Sequence, residues 1–234
     1  MIAVSCNESE LSHGKIEGLS LIRAEMSIYQ RLRNKEENQI VITLYDTKGK
    51  QIKNDSLKVY VNGMDMKYTV QQELYYTTTC YFLKNNAPPK DNKFVFEIEL
   101  ADEKKVFLGE VQALALVSPK NIIYEEKGDL NKDFVVKWHD LEGINKLLIS
   151  RSVRMKKKEA ENMTTYEERA ADTTSIQSTG SHVVAKSTFD NPEGQISILS
   201  MQFVAQYNGK INPLLAAGSY LSIYGEISES VSFE

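Results

Sequence analysis

Between Asp133 and Arg151 the chain reads Asp-Phe-Val-Val-Lys-Trp-His-Asp, then Leu-Glu-Gly, then Ile-Asn-Lys-Leu-Leu-Ile-Ser-Arg. Phe134, Val136 and Trp138 alternate with Val135, Lys137 and His139, the period-two pattern of a strand with one buried face. Trp138 is the single tryptophan of the chain, and its phase places it with the apolar set. The turn Leu141-Glu142-Gly143 returns the chain into a second run rich in branched residues. The stretch predicts a central hairpin of a β-sandwich, with Trp138 as core plug.

The same alternation recurs along the chain. Ile22, Ala24, Met26 and Ile28 alternate with Arg23, Glu25 and Ser27, and Ile40, Ile42 and Leu44 share one face of Gln39–Tyr45. Phe94, Phe96, Ile98 and Leu100 repeat the pattern. Asn62-Gly63 between Leu57–Val61 and Met64–Tyr68 predicts a type I′ hairpin turn, because both residues tolerate positive φ. Gln72–Lys84 reads as one long strand, ended by Pro88 and Pro89, which cannot donate to a ladder. A composition of 12 Tyr and 8 Phe leans the same way.

The expected fold is therefore all-β. The 234 residues suit one large domain or two smaller ones, and Ser118-Pro119 is the best boundary. The division predicted is a tether over 1–17, a first sandwich over 18–117 and a second over 118–234. Within the second, 153–178 is an insertion in which Thr164 and Glu167 have the capping-box spacing. Met155, Met163, Tyr166 and Ala170 offer it one ragged apolar face. A short surface helix and a long hairpin extension are both open there. Strands resume at His182–Phe189, Ile196–Ile198, Gly218–Gly225 and Val231–Phe233.

Three resemblances sharpen the picture. The first unit, with about seven strands in ~100 residues, resembles an immunoglobulin-like sandwich. Pro119-Lys120-Asn121-Ile122 followed by Val135-Val136-Lys137-Trp138, and later Phe203-Val204-Ala205-Gln206-Tyr207-Asn208-Gly209-Lys210, resemble the opening and a later strand of a fibronectin type III domain. Met1-Ile2-Ala3-Val4-Ser5-Cys6 resembles the end of a bacterial lipoprotein signal peptide. That last resemblance implies lipidation of Cys6, a polar flexible tether over Asn7–Lys15, and a place in the bacterial cell envelope, the membrane being reached only through the lipid. The alternative is a cytoplasmic protein with a frayed N-terminus. No run reaches the ~18 apolar residues of a membrane span.

Charge excludes one partner class. A net charge of −4 and a pI near 5.6 supply no basic footprint, so nucleic acid is not expected. Catalysis finds no anchor either. No Ser sits in a Gly-x-Ser-x-Gly elbow, and nothing brings Cys80, read as a buried thiol, near His13, His139 or His182. Asp129-Leu130-Asn131-Lys132-Asp133 matches the start of a calcium loop, but its sixth position is Phe134, a core-strand residue. A turn of solvated acids is the better reading. No zinc spacing exists, and no cofactor or metal is expected.

The binding surface expected from sequence is aromatic. Tyr75, Thr77, Thr79 and Tyr81 fall on one face of a strand; outward, they offer flat rings flanked by hydroxyls, suited to a glycan. Tyr75 and Tyr81 would stand about 20 Å apart, which requires an extended ligand. Exposed cross-strand pairs without a ligand would give the same pattern. The function expected is a non-catalytic binding or scaffolding module, with a glycan or another surface protein as partner. The rivals are a hydrolase with loop-borne carboxylates and a subunit of a surface appendage.

Overall fold

The computed structural model describes residues 9–34, 36–72, 77–85, 87–156, 164–189 and 193–233. It is all-β, with 56% of residues in strands and no α-helix among those described. The strands in chain order are β1 (Ile22–Tyr29), β2 (Gln39–Asp46), β3 (Val59–Val61), β4 (Met64–Asp65), β5 (Lys67–Gln72), β6 (Thr77–Lys84), β7 (Lys93–Glu99), β8 (Lys105–Gln112), β9 (Ile122–Ile123), β10 (Lys127–Gly128), β11 (Phe134–Trp138), β12 (Lys146–Met155), β13 (Tyr166–Ser175), β14 (Gly180–Val184), β15 (Gly194–Asn208), β16 (Lys210–Ile211) and β17 (Tyr220–Phe233).

The chain divides into two compact units, residues 1–114 with 207–224, and residues 115–206 with 225–234. The first break falls between Leu114 and Ala115. The units are not consecutive modules, however, because 207–224 belongs with the first. The reason lies in pairing: Lys210 and Ile211 join the edge of β8, and Tyr220–Tyr224 runs parallel to Glu25–Tyr29. There Leu221 and Ile223 are buried while Tyr220, Ser222 and Tyr224 face out.

In the first unit one sheet runs β17 (its first five residues), β1, β2, β6, β5, and the other runs β16, β8, β7, β3, β4. Period-two alternation builds its core. Ile22, Ala24, Met26 and Ile28 from β1, Ile40, Ile42 and Leu44 from β2, and Phe94, Phe96 and Ile98 from β7 are all buried. Asn62 and Gly63 both take positive φ, +50° and +80°, and join β3 to β4 as a two-residue turn. Asn62 is also tied down by its side chain, which accepts from Val95 N at 2.8 Å and donates to Pro88 O and Lys93 O. Gly63→Val places a β-branched residue in that left-handed region and is expected to cost about 1–3 kcal/mol, read as a lowered urea midpoint; an unchanged midpoint would refute the turn.

Two expectations for this unit need correction. Met64–Tyr68 is not one strand, since the chain leaves β4 at buried Met66, whose N–H bonds Val59 O, and enters the other sheet as β5. Nor is the segment before Ile16 a free tether. Ser9, Ser12 and Ile16 are buried. Ser12 Oγ accepts from Lys53 N at 2.9 Å, and Asn54 Nδ2 donates to Leu11 O and Gly14 O. Polar composition suggested a tether, yet here it serves as hydrogen-bonding capacity. Cys6, on which the lipid anchor rests, lies outside the described residues.

The second unit has a sheet of β13, β12, β15 and the C-terminal part of β17, with β10 also on β17, and a three-stranded sheet β14, β11, β9. Trp138 is 5% exposed, beside buried Phe134 and Val136, as its phase predicts. Its ring meets Phe203 edge-on at 5.7 Å, and its Nε1 donates to Gln177 O at 2.9 Å. Opposite it in the ladder stands Gly180, where a Cβ would lie 2.9 Å from the indole.

The hairpin predicted around Leu141-Glu142-Gly143 does not form. β11 pairs with β14 and β9, whereas β12 pairs with β13 and β15, in the other sheet. Leu141 and Ile144 are buried rather than displayed at a polar tip, and Asp140 and Gly143 adopt positive φ. Apolar anchors in the connection carry it across the core. In the insertion, β12 and β13 form an antiparallel hairpin, so Thr164 and Glu167 cap no helix; Tyr166 already opens β13. Residues 157–163 lie outside the described range.

Candidate functional site

The strand expected to carry the ligand face is turned the other way. Thr79 is 4% exposed and Tyr81 1%. Tyr81 stands opposite buried Ile42 on β2, packs edge-on against Tyr68 at 5.5 Å, and donates its hydroxyl to Asn54 O. Its burial pushes the phenol pKa far above the usual range. The outward premise therefore fails for these two residues. Tyr75 and the Thr77 side chain lie outside what is described. Gln72–Lys84 is also not one strand, since β5 and β6 pair with each other antiparallel.

An aromatic face does exist in the first unit, on β1, β2 and the start of β17. The phase that buries Ile22, Ala24, Met26 and Ile28 presents Arg23, Glu25, Ser27 and Tyr29 outward. By the same logic β2 presents Gln39, Val41, Thr43 and Tyr45, and β17 presents Tyr220, Ser222 and Tyr224. Register brings the tyrosines into two groups. Tyr29 faces Tyr224, with the rings stacked at 5.7 Å and 25° between planes. The Arg31 guanidinium lies 5.2 Å above the Tyr29 ring. At the other end Arg23 faces Tyr45 and covers its ring at 4.3 Å, while also pairing with Glu25 at 3.2 Å. Tyr220, 45% exposed, stands opposite Glu25.

These contacts hold the side chains in place. Burial, and after it the neighbouring Glu25 carboxylate, raises the Tyr45 pKa, so this phenol stays neutral. Each guanidinium over a ring is a cation–π contact, which limits the rotamer freedom a ligand would otherwise have to remove. The alternation in β1, β2 and β17 carried this signal; missing was the knowledge that β17 docks parallel to β1.

Other groups are engaged internally. At the rim of a cleft of about 240 Å³, Glu99 accepts from Lys58 Nζ at 2.8 Å and from Tyr60 OH at 3.0 Å. The Lys58 bond, then the Tyr60 bond, lowers the Glu99 pKa. Lys105 Nζ sits 3.6 Å over the Tyr60 ring. His139 Nδ1 meets Asp140 Oδ2 at 2.9 Å on an exposed loop. Asp129 closes a turn, accepting from Asn131 N and pairing with Lys132, as a solvated acid does. Cys80 is buried, which raises its thiol pKa. Among the described residues no three His, Cys, Asp or Glu gather to hold a metal, and no helix is long and apolar enough to cross a membrane.

A scan against protein-family models gives no match for this chain, and a search of the curated proteins gives none either.

Proposed function

We propose that this chain is a non-catalytic binding module of a bacterial cell envelope, built from an immunoglobulin-like and a fibronectin III-like sandwich. The observation that carries this reading is the outward tyrosine–arginine face on β1, β2 and β17, where Tyr220 is exposed and Tyr29, Tyr45 and Tyr224 are half-buried. Its rings are held in place by stacking and by guanidinium cover. Preordered aromatic side chains of this kind give contact area at low entropic cost. The two-layer sheet arrangement of each unit and the buried Trp138 support the sandwich assignments.

Cys6 is the proposed anchor. Because Ser9 already packs on the first unit, chain reach from Cys6 to Ser9 is at most about 11 Å. A lipidated chain would hold this unit close to the membrane rather than at the end of a long tether.

The appendage reading is less well supported. The exposed edge strand β13 carries Glu167, Glu168, Arg169 and Asp172, and its register with β12 shifts between Ile149 and Arg151. Charge and bulges are the devices by which edges resist strand addition.

The test is binding of wild type and of a Tyr220→Ala/Tyr224→Ala variant to a glycan array and to a library of surface-protein fragments. Wild-type binding that falls about tenfold or more in the variant, with unchanged melting, is expected. Binding that survives the double substitution would move the site elsewhere, and turnover of any bound substrate would overturn the non-catalytic reading.

A further inference from the structure

We infer that the end of the first unit carrying Ser9 is itself a membrane contact, with Leu214 and Leu21 entering the bilayer interface beside Lys48 and Lys50. This rests on the lipid-anchor reading above and adds a contact by the protein to the one made by the lipid.

Strand directions define this end. β1 starts there and β2 finishes there, since Ile22 stands opposite Asp46. β17 runs parallel to β1, so the loop leading into it lies at the same end. Ala216 N donates to Ile22 O at 2.8 Å, and Ala24 N to Ser219 Oγ at 3.0 Å. The N-terminal segment arrives there too. Ser9 N donates to Gln51 O at 3.2 Å, and Ser9, Leu11, Leu21, Lys48 and Lys50 line one cleft.

This end displays apolar side chains on fixed backbone. Leu214 is 66% exposed, more than any other large apolar residue among those described, and Leu21 is 41% exposed. Leu214 N donates to Asn212 Oδ1 at 2.9 Å and Leu215 is buried, which holds Leu214 outward. Residues 211–220 include no charged side chain, although 26% of the chain is charged. Nothing in that loop therefore opposes transfer to a less polar phase. Lys48 and Lys50 give their N–H groups to Asp46 and keep their ammonium groups for anionic headgroups. Glu10 lies among them, so the leucines rather than net charge carry the contact.

Single exposed leucines are ordinary on a protein surface; the anchor decides what covers these. A lipid on Cys6 keeps Ser9 within about 11 Å of the attachment point. A folded partner, about 30 Å across even when small, does not fit in that gap. The bilayer does, and the tether's effective concentration makes a weak side-chain contact sufficient.

The experiment couples the full chain through Cys6 to vesicles of phosphatidylethanolamine and phosphatidylglycerol bearing a maleimide lipid, Cys80 being buried. Amide exchange is then compared with that of the uncoupled chain. Exchange across 213–218 and at 20–21 is expected to slow about tenfold, the gain from burying a leucine, with the Asn62-Gly63 turn unchanged. Leu21→Ser/Leu214→Ser should remove the protection, and Leu214→Ser alone serves if the pair folds poorly. Unchanged exchange at 213–218, or protection that survives the substitutions, overturns the inference. So does protection of this loop by surface-protein fragments but not by vesicles. The anchor is tested separately, by labelled palmitate incorporation in cells that Cys6→Ser abolishes. With lipidation but no protection, the membrane contact falls and the anchor stands; without lipidation both fall, because nothing then holds this end at a bilayer.

Discussion

Trp138→Ala is expected to destabilise the second unit by about 3–5 kcal/mol, the range for removing a large aromatic from a packed core. That is a large part of the stability of an ordinary domain. The substitution empties a site bounded by the Phe203 ring and by Gly180 across the ladder, and leaves Gln177 O without its indole donor. Gly180 has no side chain to move into the gap, so collapse is limited. Urea unfolding would show the loss as a lower midpoint. The wild-type protein should show blue-shifted tryptophan emission with little acrylamide quenching. Freely quenched emission, or an unchanged midpoint in the variant, would put Trp138 on the outer face.

The second large effect is expected at Tyr81. Tyr81→Ala should cost the first unit about 3–5 kcal/mol, because the ring is buried against Tyr68 and Ile42 and its hydroxyl serves Asn54 O. Tyr81→Phe isolates the hydroxyl and should cost about 1–3 kcal/mol by stranding the carbonyl. Asn54 matters because its side chain bonds Leu11 O and Gly14 O; the loss should also loosen residues 9–16, visible as faster amide exchange there. A Tyr81 on an outer ligand face would give the opposite result, lost binding with stability intact. The pair of substitutions therefore separates the strand phase drawn from sequence from the one in the fold.

That difference shows where sequence reading holds. Strand positions and faces in β1, β2, β7 and β11 were legible because side chains alternate across a strand, and a one-residue error would expose every apolar member. The turn at Asn62-Gly63 was legible because its backbone conformation admits few residues. Tyr81 was misread because Tyr, Thr and Cys do not declare a face. Thr79, Cys80 and Tyr81 are consecutive and all buried, so local alternation carries no information there.

Local pattern alone thus settled the all-β class and the inward phase of Trp138. Tertiary structure decided which strands pair. It sent β12 to a different sheet from β11, returned 207–224 to the first unit, and set β17 parallel to β1. Only that last pairing brings Tyr224 onto Tyr29 and assembles the candidate binding face. The physical reason is range. Alternation reports which side of a strand is apolar, a property of neighbours in sequence, whereas partner choice depends on how all the apolar faces are buried together, with residues up to 195 positions apart, as at Ala24 and Ser219, sharing a hydrogen bond.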